Sequence, residues 1–88
     1  MEVPEAMQTR YVERRKQDLE VCRKNLALQK FSELEKVGHQ LKGNGVTFGF
    51  DDISVIGKRM EVAAAEANVH EMEKALKDLS HWVKQHLN

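Results

Sequence analysis

The sequence predicts an all-α fold, an up-down antiparallel four-helix bundle. Three observations lead there: apolar residues recur at steps of three and four with no alternating strand-type run, the one proline sits at position 4, and short breaks divide the chain into four amphipathic segments.

Segment A runs from about Pro4, a residue suited to a first helical turn because its missing N–H has no partner there anyway, to about Gln29. Its apolar stripe is Val12, Leu19, Cys22 and Leu26, and the run ERRKQD from Glu13 to Asp18 is expected to be a solvated face. Segment B begins near Phe31 and carries Phe31, Leu34, Gly38, Leu41, Gly45 and Phe48 on one stripe, ending at Gly49 as a C-terminal glycine. Segment C starts after Asp51, read as an N-cap, and continues through Ile53, Ile56, Met60, Ala63 and Ala67 until Asn68 breaks it. Segment D places Val69, Met72, Leu76, Leu79 and Val83 on its buried side. Connections of only a few residues make consecutive helices antiparallel neighbours, with A the longest.

Eighty-eight residues are expected to form a single domain spanning 1–88. Fourteen basic and 14 acidic residues cancel, which removes the long-range positive field expected of a protein that holds nucleic acid or an anionic membrane by charge. Cys22 is the single cysteine and has no partner for an intramolecular disulfide, and it is read as a small core residue. The start MEVPEAMQ lacks the features of an export signal, and no apolar run approaches the roughly 20 residues that span a bilayer. A cytoplasmic monomer is expected.

Four of the five glycines fall between positions 38 and 49. Gly38 and Gly45 lie on the stripe of B, and Gly57 lies on C, where small residues let a neighbouring helix approach. Gly43 has no such reason. At 100° per residue it points almost opposite the stripe, where alanine would favour the helix by about 1 kcal/mol. His39 stands one turn earlier on the same exposed side, with Lys42 at its edge. An exposed neutral imidazole is a nucleophile at physiological pH, and phosphorylation makes it a temporary phosphoryl carrier. Such a carrier needs a cation to offset phosphoryl charge, which Lys42 supplies at i+3, and clearance for a partner's active site, which Gly43 supplies at i+4. It also needs an acceptor on the second ring nitrogen to select one tautomer.

The stretch HQLKGNGVTFG resembles the signature of histidine-containing phosphotransfer domains, H-x-L-K-G followed by a glycine ten positions after the histidine, here Gly49. The resemblance extends to FGF at Phe48 to Phe50 and covers most of the chain, most weakly in the first half of A. It implies that His39 is the phosphorylated residue on an exposed helix of a four-helix bundle. In the chemotaxis-kinase branch an acceptor 22 residues after the histidine holds its other nitrogen, which implies that role for Glu61. The residue 19 positions after the histidine lies near the phosphoryl group in that branch but is a histidine there, so the resemblance gives Lys58 proximity alone. The sequence departs from that branch in having no ATP-binding domain. If complete, the chain is expected to be a stand-alone phosphocarrier, not an enzyme, fed by another protein. The implied partners are receiver domains of response regulators and hybrid histidine kinases, and the receiver is expected to bring the Mg²⁺, this chain holding no cofactor or metal.

Two rivals come from other classes. A helical adaptor would bind a receiver or kinase by shape and leave His39 unused. A metal-binding bundle would want Glu-x-x-His pairs on two helices, whereas His39 has Lys42 and Gly43 at i+3 and i+4. Glu66, His70 and Glu73 could share a face, and His70, His81 and His86 read as surface or flanking residues on D. Trp82 borders the stripe of D and is expected to pack at one end of the bundle. With an A/B hairpin turning near Lys30, His39 would be level with Leu19, Glu20 and Arg23, which are expected at the rim of a receiver contact.

Overall fold

The apolar periodicity closes into four α-helices in the computed structural model, which describes residues 2–87: α1 (Glu5–Ala27), α2 (Phe31–Thr47), α3 (Asp51–Ala65) and α4 (Val69–His86), with no strand among the described residues. Each helix packs on its neighbours in sequence, and α4 returns against α1 to close the ring. Pairing is antiparallel throughout. The start of α1 meets the end of α2, where Tyr11 donates to Asn44 Oδ1 and Gln8 Nε2 donates to the Phe48 carbonyl at 3.1 Å. Arg59 on α3 reaches Asp78 on α4 at 2.7 Å. The Tyr11 ring meets Trp82, near the end of α4, edge-on at 6.3 Å.

The three turns share one device. After each of the first three helices a residue enters the left-handed region: Gln29 at φ 56°, Gly49 at φ 87° and Ala67 at φ 51°. The next N–H then reaches back five residues, Lys30 to the Asn25 carbonyl at 2.8 Å, Phe50 to Gly45 at 2.7 Å and Asn68 to Ala63 at 2.8 Å. Only the second turn has the glycine that this conformation favours. Gln29 and Ala67 adopt it against a steric cost of about 1 kcal/mol each, because the hydrogen bonds and the packing of the next helix over-determine it. Ala67 therefore does not continue the α3 stripe as its spacing predicts: α3 stops at Ala65 and Ala67 is exposed.

Other expectations are corrected in detail. Asp51 is the first residue of α3, not its cap, and the cap position falls on Phe50. Asn68, read as a break, also caps α4 by accepting the Glu71 N–H at 3.0 Å. Val69 is exposed at the start of α4. The run ERRKQD is not wholly solvated, because Arg15 is 6% exposed, with its guanidinium 4.2 Å over the Tyr11 ring and its Nε 2.8 Å from Asp18. Tyr11 gives the arginine stem and charge an aromatic face to cover, which the pattern of charged letters hides.

Leu34, Leu41, Ile53, Met60, Met72, Leu79 and Cys22 are fully buried, and burial pushes the Cys22 thiol up to about 12, so it stays protonated in the core. One end of the bundle is aromatic. Tyr11 stacks on Phe48 at 4.7 Å, and Trp82 sits edge-on to Phe50 at 5.0 Å and parallel to His86 at 4.2 Å. Among the described residues no helix is long and apolar enough to cross a membrane.

The α2/α3 contact is backbone against backbone. A Cβ on Gly38 would lie 2.6 Å from the Glu61 nitrogen, one on Gly45 would lie 2.6 Å from the Ser54 nitrogen, and one on Gly57 would overlap the Lys42 nitrogen. No flexible side chain is available to yield, so the three glycines set how closely these helices approach.

The left-handed turn at Ala67 generates a stability prediction. Ala67→Gly should relieve the Cβ clash and raise unfolding free energy by up to about 0.5 kcal/mol, net of the entropy glycine adds to the unfolded chain. Urea denaturation followed by helical circular dichroism checks it.

Candidate functional site

Helix geometry places the site beside this glycine contact. Gly38 presses into α3, so the next residue, His39, emerges at the α2/α3 edge with its side chain 68% exposed. The same contact holds Glu61 on α3 under the ring. His39 Nδ1 lies 2.7 Å from Glu61 Oε2, while Lys42 Nζ donates to Glu61 Oε1 at 2.9 Å and Lys58 Nζ stands 4.0 Å from that oxygen. The carboxylate is the least exposed member of the cluster, at 20%.

Glu61 is held below its ordinary value of 4.5, first by the hydrogen bond from Lys42 and then by that from His39, against a smaller opposing effect of burial. At neutral pH it is ionised, and an ionised carboxylate only accepts hydrogen bonds. His39 Nδ1 must therefore carry the proton in this contact. In the neutral ring the lone pair then falls on Nε2, which makes no hydrogen bond among the described residues.

Gly43 lies one turn beyond His39, and a Cβ there would meet nothing within 4 Å. The five residues predicted from sequence thus form one locality: His39, Lys42 and Gly43 on α2, with Glu61 and Lys58 facing them from α3. Lys42 is engaged with Glu61 instead of standing free, and Lys58 is 60% exposed at the margin.

Leu19, Glu20 and Arg23 do not join the locality. Tyr11 pairs with Asn44 and Gln8 with Phe48, a register that carries His39 to the level of Lys16 and Gln17. All three line the α1/α4 side together with Lys84. The hairpin expectation counted levels along the axis from a turn near Lys30; the observed register lies about one turn away, and these residues line the side of α1 that meets α4. The α1 residues that do border the exposed side of α2 are Met7, Arg10 and Arg14, across a groove of about 420 Å³ from Gln40 and Asn44. Sequence reasoning missed them because they lie off the apolar stripe, in a stretch where charge alone carries no direction.

His39 is the only histidine in an ion pair among the described residues. His70 and His81 line the α1/α4 side, and His86 stacks on Trp82 with Nδ1 2.7 Å from the Trp82 carbonyl oxygen. No group of three His, Cys, Asp or Glu side chains is close enough to hold a metal ion among the described residues.

Fold and site together define a helical bundle that presents one carboxylate-backed imidazole to solvent, the arrangement of a histidine phosphotransfer module. The family model of the Hpt domain matches residues 6–86 of the 88, and the chain belongs to that family. Membership places it among the phosphocarrier modules of two-component signalling, which work with receiver domains and histidine kinases. No curated protein and no solved structure matches the chain at the stringency applied.

The Glu61 junction makes the titration of that carboxyl a test of the network. Because its folded value is depressed, its contribution to stability is present above the ordinary glutamate value and is lost as pH falls through the lowered one. Lys42→Ala removes the largest cause of the depression. The midpoint of Glu61, followed by carboxyl carbon NMR, should move up toward 4.5, and the acid-side loss of stability should begin at correspondingly higher pH.

Proposed function

We propose that the protein is a phosphorelay intermediate in which His39 carries a phosphoryl group on Nε2 between aspartates of receiver domains. The observation that carries this reading is the 2.7 Å contact from Nδ1 to Glu61, which in the neutral ring puts the lone pair on Nε2, on an exposed side chain beside the open surface of Gly43. In the proposed step the Nε2 lone pair attacks the phosphorus of a receiver's aspartyl phosphate. The N–P bond forms as the O–P bond to the aspartate breaks, and the aspartate leaves as a carboxylate. Positive charge develops on the ring and is met by Glu61, which holds the Nδ1 proton throughout. The reverse step returns the group to another receiver.

Lys42 acts in two ways under this reading. It holds Glu61 ionised and oriented, and it keeps a cation within one turn of the phosphoryl oxygens. Lys58, more exposed than Lys42, adds a second cation at the margin. The chain is a carrier and not an enzyme, because the receiver brings the acidic pocket and Mg²⁺ that enable transfer. A monomer acting in the cytoplasm with receivers and a hybrid histidine kinase completes the proposal.

Incubation with a phosphorylated receiver tests it. The parent protein should acquire an acid-labile, alkali-stable label, and His39→Gln should acquire none while its unfolding free energy stays within about 0.5 kcal/mol of the parent, as for an exposed side chain. Label retained in that variant would move the site elsewhere, and complex formation without label in the parent would make the protein an adaptor.

Gly43 separates access from folding. Gly43→Gln should stabilise α2 by up to about 1 kcal/mol, since glutamine is the better helix former at an exposed position. Its side chain should also obstruct closure over the ring, so transfer from a receiver should slow while labelling by phosphoramidate, a small donor, is less affected. Unfolding curves and transfer rates on the same variant report both effects. A higher midpoint with the parent transfer rate would refute the clearance role.

A further inference from the structure

The face of the ring opposite α2/α3 carries a feature that phosphoryl transfer does not use. Between α1 and α4 two adjoining cavities of about 530 and 390 Å³ share Arg23, Ser80 and Lys84 and form one groove. It follows α4 from His70 to Leu87, about 25 Å at the helical rise. Beneath it lie the core residues Leu19, Leu76 and Val83, only 3–5% exposed, and its accessible apolar surface comes from half-buried Leu26 and Leu87 toward the ends.

The rims are basic. Lys16 and Arg23 stand on the α1 side and Lys74, Lys77 and Lys84 on the α4 side, against the two carboxylates Glu20 and Glu73. Lys16, Arg23, Lys77 and Lys84 enter no ion pair among the described residues. The lining of this groove thus carries five lysines and arginines against two carboxylates. Unpaired cations on both sides of an apolar trough specify the complement: an apolar ridge flanked by carboxylates. A helix supplies that shape, since a third helix can lie in the trough at ordinary packing distance from both walls. A flat anionic membrane or a nucleic-acid backbone would meet the rims and leave Leu26 and Leu87 uncovered.

We propose that the α1/α4 groove docks an acidic amphipathic helix of a partner protein, on the face opposite His39 and therefore compatible with a receiver bound at the phosphoryl site. Such a helix would tether the carrier to an assembly without blocking transfer.

The test uses a fluorescein-labelled 16-residue helical peptide with leucines on one stripe and glutamates on its flanks, added to the full chain. Anisotropy should report binding, with amide shifts mapping to α1 and α4 and leaving the His39 surroundings unmoved. Arg23→Glu with Lys77→Glu should weaken binding by about tenfold or more while helical content and receiver-dependent labelling are retained. A peptide of the same composition with its leucines dispersed should bind at least as weakly as the peptide does to that variant. No binding, binding indifferent to the charge reversal, or shifts centred on α2/α3 would overturn the proposal. So would equal affinity for oligo-dT or phosphatidylserine vesicles, which would make the groove a general anionic surface, or self-association abolished by the charge reversal, which would make a second copy the occupant. Peptide binding and the amide shifts are read without phosphoryl transfer, so this proposal and the assignment of His39 fail separately.

Discussion

The contact of α2 with α3 through Gly38, Gly45 and Gly57 is the constraint from which the site follows. With backbones touching, there is no freedom to slide or rotate one helix against the other, and the residues flanking the glycines are placed without any help from loops. His39 follows Gly38, Lys42 stands over Gly57, and Glu61 lies opposite Gly38. The distances among the three side chains are thus inherited from main-chain packing, which is stiffer than a surface network of charged side chains could be. Glycine is a poor choice for each helix alone, at about 1 kcal/mol per position, and the approach it permits offsets that cost.

Glu61 turns this rigidity into chemistry. One partly shielded carboxylate accepts from a lysine through one oxygen and from the imidazole through the other, with a second lysine at the edge. Two cations hold its charge in place, so the imidazole sees a steady acceptor and its two nitrogens are made unequal. Under the role proposed for His39 the arrangement shares the logic of catalytic carboxylate–imidazole pairs: the carboxylate would orient the ring through Nδ1 and leave Nε2 to the other partner.

Much of this was legible in the letters. The helices, the exposed His39, the cleared surface at Gly43 and the close approach at Gly38, Gly45 and Gly57 follow from periods of three and four residues and from where glycine is unwelcome. Glu61 was not legible that way, because its position is ordinary on its own helix and gains meaning only when α3 is laid against α2. The resemblance to phosphotransfer domains located it by spacing. Gln29 and Ala67 show the converse limit, since nothing in either residue announces a left-handed turn that tertiary packing imposes. Leu19, Glu20 and Arg23 were misplaced relative to His39 because counting along a hairpin gives a level on α1 but not the side that faces α2. Arg15 was lost among its charged neighbours because burial over Tyr11 depends on the ring, not on the arginine.

The aromatic end of the bundle gives the molecule an optical handle. Trp82 is the only tryptophan, 4% exposed, and its indole is enclosed by Tyr11, Phe50 and His86 from three different stretches of chain. Its fluorescence therefore reports whether the start of α1, the α2/α3 turn and the end of α4 remain assembled. His39 lies nine residues before Phe48 on α2, roughly 14 Å along the axis, so chemistry at the imidazole leaves the indole's surroundings alone unless the whole bundle responds. The emission of this one residue separates a carrier that is a passive platform from one whose helices repack when loaded.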